Sequence, residues 1–123
     1  MKLNFWQQYP LVKDDLQIVN QLIAKKIEVN DPKLKSALLQ MANNGGKYLR
    51  PALLLLFSKE NSTTIADERL LKLAASIEVL HTATLIHDDI IDDSPKRRGQ
   101  VSIQSAFGKD IAVYAGDLLF TVF

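Results

Sequence analysis

The chain contains no cysteine, which excludes disulfide bonds and thiolate metal sites. Its longest apolar run, residues 52–57, is far shorter than the roughly 20 residues of a membrane span. The first residues carry no hydrophobic segment of a secretory signal. The net charge of +1 excludes a strong overall field, so nucleic acid is not an expected partner. We therefore expect a soluble, cytoplasmic protein without a transmembrane segment.

Proline and glycine are scarce, with four and five residues, and most of them lie between segments of helical periodicity or at their start. After Pro10, the residues Leu16, Val19, Ile23 and Ile27 recur at spacings of three and four. Further helices are predicted after residue 32, at 49–59, at about 67–92, at 103–107 and from 109 onward. Residues 94–100 form a polar, basic loop, and no segment alternates as a strand does. The fold class is therefore an all-α helical bundle, with residues 1–123 as a single domain.

The last residues, 116–123, keep an apolar helical pattern to the end without a cap or a polar tail. We therefore expect the chain to be the N-terminal part of a longer protein; the alternative is a natural terminus that docks in a core or in an oligomer interface. A bundle cut in this way exposes apolar helix faces, so we also expect self-association, with residues 111–123 as the contact surface.

An acidic segment, HDDIIDD at residues 87–93, is the strongest chemical signal. On a helix, Asp88 and Asp92 lie one turn apart on one face, and Asp89 and Asp93 form a second pair about 100° away. Such carboxylates repel one another unless a cation lies among them, and hard oxygen ligands favour Mg²⁺ over zinc. A merely solvated helix end is the weaker alternative, because carboxylates at a helix C-terminus oppose the macrodipole.

Two histidines precede this segment on the same predicted helix. His81 shares the face of Asp88, as does Thr84, so His81 is either a buried core residue or part of a site. His87 lies off that face and is predicted to be a packing residue or one that supports the site residues from behind.

Two basic clusters accompany the carboxylates. Arg97 and Arg98 follow them closely, and guanidinium groups bind phosphate in bidentate fashion. Lys47 and Arg50 flank a predicted helix start after the glycine pair 45–46, where backbone N–H groups can hold an anion. Either cluster alone would be a solvated loop or an ordinary turn. Together with a Mg²⁺ site and a long apolar helix, they predict a site for two diphosphates with an apolar tail.

The motifs GGKxxRP at residues 45–51, HTATLIHDDIIDD at 81–93 and RRG at 97–99 resemble those of the trans-isoprenyl diphosphate synthases, the medium- and long-chain polyprenyl synthetases. This resemblance implies the N-terminal part of the all-α isoprenoid-synthase fold. It also implies Mg²⁺-dependent head-to-tail condensation of an allylic diphosphate with isopentenyl diphosphate in a homo-oligomer, a dimer.

The resemblance also assigns roles to individual residues. It makes Asp88, Asp89 and Asp92 the catalytic Mg²⁺ ligands. It makes Arg97 the contact of the allylic diphosphate, and the contacts of isopentenyl diphosphate are Lys47, Arg50, His81 and Arg98. Ala83 and Thr84 form the floor that sets product length. Because both floor residues are small, products longer than farnesyl are expected. Tyr48 departs from the family pattern, in which this position is often basic. The second Asp-rich motif of the family is absent, so we expect the chain alone to be inactive.

Two other interpretations stay open. An HD-type metal phosphohydrolase would use His81, His87, Asp88 and Asp117 as ligands, but it leaves Asp92 and the basic clusters unexplained. The other is a non-catalytic subunit or interaction module that retains part of a prenyltransferase site. An open reading frame that continues to another Asp-rich motif would favour the enzyme.

Overall fold

The computed structural model describes residues 6, 8–43, 48–58, 68–97 and 99–123, without the side chains of residues 11 and 43. This part of the chain forms six helices and one short hairpin. They are α1 (Pro10–Lys26), α2 (Pro32–Asn43), α3 (Leu49–Ser58), α4 (Glu68–Ile91), β1 (Lys96–Arg97), β2 (Gln100–Val101), α5 (Ile103–Phe107) and α6 (Lys109–Leu119). The predicted all-α bundle is confirmed.

The prediction of no strand was wrong for residues 96–97 and 100–101, which form two short strands. Lys96 pairs with Val101 and Arg97 with Gln100 in an antiparallel hairpin. Gly99 has a φ of 81°, a conformation that glycine adopts without steric cost, and it lies in the turn of this hairpin. Strands of two residues are too short to show an alternating pattern, so sequence periodicity could not reveal them.

The helix starts follow the local signals in the sequence. Pro10 occupies the first turn of α1 and Pro51 the first turn of α3. Asp31 caps α2, because its Oδ1 accepts a hydrogen bond from the backbone N–H of Lys33 at 2.9 Å.

One face of α1 provides much of the core. Val12, Leu16, Val19 and Ile23 are at most 1% exposed, at the spacing of three and four residues that places them on one side of the helix. Burying such side chains contributes about 1.5–3 kcal/mol each. This face packs against α3 and α4.

The central element is α4, which contacts α1, α2, α3, α5 and α6. Among the described ranges it is the one helix that is long and apolar enough, by length and composition, to cross a membrane. Its position accounts for this composition, because Leu71, Ala75, Val79, Ala83 and Ile86 are all buried in the bundle.

The C-terminal end of α4 is a Schellman cap. The N–H of Ser94 bonds to the carbonyl of Asp89 at 3.0 Å, and the N–H of Asp93 bonds to that of Ile90 at 3.3 Å. Asp93 takes the left-handed position of this cap, with a φ of 53°. The predicted second helical pair, Asp89 with Asp93, is therefore wrong, because the backbone reverses before Asp93 can stand one turn above Asp89.

Candidate active site

Two exposed carboxylates lie at the end of the central helix. Asp88 and Asp92 are both exposed, and the backbone N–H of Asp92 bonds to the carbonyl of Asp88 at 2.9 Å. This helical bond keeps the two residues one turn apart on a single face, as predicted. Thr84, one turn before Asp88, is exposed on the same face.

The neighbouring carboxylate has a different environment. Asp89 is 2% exposed, and both of its oxygens accept hydrogen bonds from Arg97. Nε of Arg97 lies 3.0 and 2.9 Å from Oδ1 and Oδ2, and Nη2 lies 2.8 Å from Oδ1. Such bidentate geometry is the strong form of an Arg–carboxylate pair. Asp89 therefore orients Arg97 in this structure, and its role as a third metal ligand stays a prediction.

The charges around Arg97 reinforce this pairing. Its hydrogen bonds to Asp89 raise the pKa of the guanidinium above its usual range, and the charges of Asp89, Asp88 and Asp92 add to that effect against the cost of partial burial. The pair borders a cavity of about 70 Å³ with apolar walls that include Leu85 and Ile103. Arg97 therefore stays charged within the field of all three carboxylates.

The open pair fits the requirements of Mg²⁺. This ion takes one or two carboxylates and completes its shell with waters and phosphate oxygens. Asp88 and Asp92 offer such hard oxygens to solvent, and the sequence contains no cysteine. Within the residues that the structure describes, no three His, Asp or Glu side chains are gathered into a site that could hold a metal alone. A metal held here would thus depend on oxygens from a bound diphosphate.

The predicted basic cluster near residue 47 is only partly described. Arg50 is exposed in the first turn of α3, whereas Lys47 and Arg98 lie outside the described residues. Tyr48 is 2% exposed and has a φ of 53°. Its hydroxyl donates a hydrogen bond to Oδ1 of Asn20 at 3.2 Å, which anchors the start of α3 to α1. Tyr48 therefore points into the core, so its side chain takes no place among the exposed basic groups.

The remaining predicted residues divide between surface and core. His81 is partly exposed, and its backbone carbonyl accepts a hydrogen bond from the hydroxyl of Thr84 at 2.6 Å. Ala83 is fully buried, so only Thr84 of the predicted floor pair lies on the open face. Leu80, 49% exposed, continues that face away from Asp88. The open face of α4 is thus acidic at one end and more apolar toward the other.

Sequence reasoning missed two buried polar residues near these groups. Glu78 is buried in α4 beside Tyr48, where burial and the charge of Glu78 raise the pKa of the phenol. A charged residue in the middle of an apolar helix was the available signal. Gln104 is buried in α5 and bonds to the end of α4, a contact that no local pattern predicts.

The ligand set of an HD-type metal phosphohydrolase is not brought together in the described residues. His87 does approach Asp117, with Nε2 at 3.3 Å from Oδ1. It also packs over Gly116, where an added Cβ would collide with its ring, and its ring centroid lies 5.5 Å from that of Phe120. His87 is therefore a packing residue between α4 and α6, as predicted. No cluster of three potential ligands includes it in the described part of the chain.

Comparison with solved structures defines the class of this fold. The chain superposes on geranylgeranyl pyrophosphate synthase from Lactobacillus brevis with a TM-score of 0.89 and 39% identity, covering 98% of this chain and 37% of that one. A polyprenyl synthase from Caulobacter crescentus, solved with calcium and isoprenyl diphosphate, matches with a TM-score of 0.79 and 34% identity over 92% of this chain and 34% of that one. The bundle is thus part of an all-α isoprenoid-synthase fold.

Sequence comparison gives the family. A model of the polyprenyl synthetase family matches residues 31–123. The rice (Oryza sativa subsp. japonica) solanesyl-diphosphate synthase 2 is 42% identical over 114 residues, which are 89% of this chain and 28% of that protein. The chain belongs to the polyprenyl synthetase family. It spans about a third of the length of the curated relatives that it matches.

Proposed function

We propose that this chain contributes the carboxylates of the first Asp-rich motif to a prenyltransferase site. The reaction is the Mg²⁺-dependent head-to-tail condensation of an allylic diphosphate with isopentenyl diphosphate, which forms a polyprenyl diphosphate. The observation that carries this proposal is the open pair of Asp88 and Asp92 beside an arginine that Asp89 orients. Family membership supports the substrate class.

The residues of this face have separable tasks. Asp88 and Asp92 would hold Mg²⁺, which supplies positive charge to the oxygens of the leaving diphosphate when it is bound. The bonds of Arg97 to Asp89 use Nε and Nη2, so Asp89 does not engage the Nη1 group. That group is the donor we assign to the allylic diphosphate. Arg50, with Lys47 and Arg98, is assigned to isopentenyl diphosphate.

The chemistry needs charge stabilisation and exclusion of water. The allylic C–O bond breaks and its electron pair leaves with the diphosphate, so donors aimed at that group lower the barrier. The double bond of isopentenyl diphosphate then attacks the allylic carbon, and the released diphosphate is the base that we assign to the proton lost from the new chain. Thr84 and Leu80 continue the open face away from the carboxylates and give the growing chain an apolar surface.

Binding of an allylic diphosphate tests this proposal. We expect the chain to bind farnesyl diphosphate in titration calorimetry only when Mg²⁺ is present. Asp88→Asn should weaken binding about tenfold or more, because charge-assisted contacts are worth roughly 1.5–3 kcal/mol. Asp93→Asn is the matched control: it neutralises a neighbouring exposed carboxylate that lies off the Asp88 face, and asparagine tolerates its left-handed backbone. Equal effects of the two substitutions, or binding without Mg²⁺, would contradict the proposal.

Turnover is expected to need residues outside this chain. The sequence has no second Asp-rich motif, so the chain alone should form no product from labelled isopentenyl diphosphate and farnesyl diphosphate. The rice solanesyl-diphosphate synthase 2 serves as the positive control in that assay. Prenyl transfer by the chain alone would overturn this expectation.

Self-association is proposed through α6 and the residues that follow it. Ile111, Val113, Tyr114, Phe120 and Phe123 are large apolar side chains exposed along this segment. Large apolar side chains exposed together in one segment favour an interaction surface. We expect a dimer in light scattering, shifted toward monomer by Tyr114→Glu. A monodisperse monomer of the unmodified chain would refute it.

A further inference from the structure

The side chain of Gln104 joins α5 to the capped end of α4. Its Nε2 donates to the backbone carbonyl of Asp89 at 3.3 Å and to that of Ser94 at 2.8 Å. These are the first and last residues of the Schellman cap, whose own bond runs from the N–H of Ser94 to the carbonyl of Asp89. One amide group therefore holds both ends of the turn that closes the central helix.

Ser102 fixes the orientation of this amide. Its hydroxyl lies 2.5 Å from Oε1 of Gln104 and 2.7 Å from the carbonyl oxygen of Ser94. Gln104 is 7% exposed and Ser102 is also buried, so neither group exchanges these partners freely for water. The oxygen of the amide is thus directed to Ser102, and its two hydrogens are directed to the helix end.

The same connection determines where Arg97 lies. The hairpin that carries Arg97 begins at Lys96, two residues after Ser94, and the N–H of Ser102 bonds to the carbonyl of Pro95 at 3.0 Å. Asp89, the partner of Arg97, is the residue whose carbonyl Gln104 holds. Both members of the Asp89–Arg97 pair are therefore connected to one buried amide through backbone that it contacts.

We propose that Gln104 is a positioning residue of the candidate site. It sets the distance between the end of α4 and the hairpin, so that Arg97 forms its bidentate hydrogen bonds to Asp89 beside Asp88 and Asp92. The positioning of Arg97 by Gln104 does not depend on which reaction the site performs. Its effect on diphosphate binding rests on the function proposed above.

Nitrogen-15 NMR of the arginine side chain tests the first effect. Gln104→Met keeps the length of the side chain but removes the donors, and we expect solvent exchange of the Arg97 Nε–H to accelerate about tenfold. Gln100→Leu, an exposed glutamine in the same hairpin, is the matched control and should leave that exchange unchanged. A role in stability alone would lower the melting temperature without moving this signal, and that result would overturn the proposal.

A second variant covers a failure of Gln104→Met to fold. Gln104→Asn keeps the amide one methylene shorter, so it cannot span both carbonyls, and we expect an exchange rate between those of the wild type and Gln104→Met. An unchanged rate in this variant would also overturn the proposal.

Titration with farnesyl diphosphate and Mg²⁺ tests the second effect. We expect Gln104→Met to weaken binding about tenfold, while Gln100→Leu binds as the wild type does. If Asp88→Asn binds normally, the proposed function fails while the exchange result for Arg97 still supports the positioning role. If Asp88→Asn is impaired but Gln104→Met changes neither exchange nor affinity, the positioning role is refuted and the proposed function stands.

Discussion

Replacing Gly116 by alanine should destabilise the chain by forcing the ring of His87 away from α6. A Cβ built at Gly116 would lie 2.5 Å from Cδ2 and 3.1 Å from Cε1 of His87, and closer still to Nε2. Distances under 3 Å cannot be accommodated without movement, and overpacking of this kind costs about 1–3 kcal/mol. Alanine also gains about 1 kcal/mol over glycine in a helix interior, so the net loss should be about 1 kcal/mol.

The loss depends on what holds the ring of His87. Moving it gives up the contact with Asp117 at 3.3 Å and the packing against the ring of Phe120 at 5.5 Å. The first is partly exposed and is worth at most about 1 kcal/mol. An aromatic pair of this kind contributes about 0.5–1.5 kcal/mol. These contacts together are large enough to oppose the helix-propensity gain.

A double-mutant cycle separates these contributions. In a His87→Ala background the collision disappears, so Gly116→Ala should stabilise the chain by about 1 kcal/mol, which leaves a coupling of about 2 kcal/mol between the two sites. Urea unfolding followed by circular dichroism measures each variant, and a thermal midpoint should move about 4 °C per kcal/mol. If Gly116→Ala has the same effect in both backgrounds, or stabilises the unmodified chain, the ring is not held as described.

Two further predictions concern residues away from that contact. Tyr48→Phe should cost about 0.5–1.5 kcal/mol at neutral pH. Because burial and the charge of Glu78 raise the pKa of Tyr48 in the folded state, the unmodified chain should also lose stability as the pH rises above the unfolded value of about 10. Tyr48→Phe should not show this loss of stability at high pH, whereas Tyr114→Phe, at an exposed position, should show it. Equal dependence of the unfolding free energy on pH for the three proteins in urea unfolding would contradict this. Ala83→Phe should destabilise the buried core by about 1–3 kcal/mol. Thr84→Phe should leave stability within about 0.5 kcal/mol and shorten the product of an active, longer form of the protein, and unchanged product length would refute its role as a floor.

The helices were predictable because their boundaries are local. Pro10, Asp31 and Pro51 act on the backbone within one turn, so the start of each helix can be read without knowledge of its neighbours. The open face of Asp88 and Asp92 follows from helical spacing in the same way. The burial of Ala83 and the exposure of Thr84 agree with the helical spacing, which puts Thr84 more squarely than Ala83 on the Asp88 face.

The contacts that distinguish the carboxylates were not predictable. Asp89 and Arg97 are eight residues apart, and they meet because the chain reverses between them, at Asp93. Asparagine and glycine are the residues usually expected in left-handed positions, so the reversal at Asp93 has a weak sequence signal. The periodicity of a continuing helix therefore misplaced Asp93.

By itself, the sequence determined the helical bundle, the acidic face of α4 and the family to which these motifs point, since each depends on spacing along one helix or on residues in fixed order. The tertiary structure decided which carboxylates are open to solvent and which one is bonded to an arginine, because that depends on the hairpin that returns Arg97 to Asp89. It also decided the role of Gln104, whose amide contacts backbone 10 and 15 residues away. Hydrogen bonds across such separations depend on how the helices pack, and no local preference of the chain encodes them.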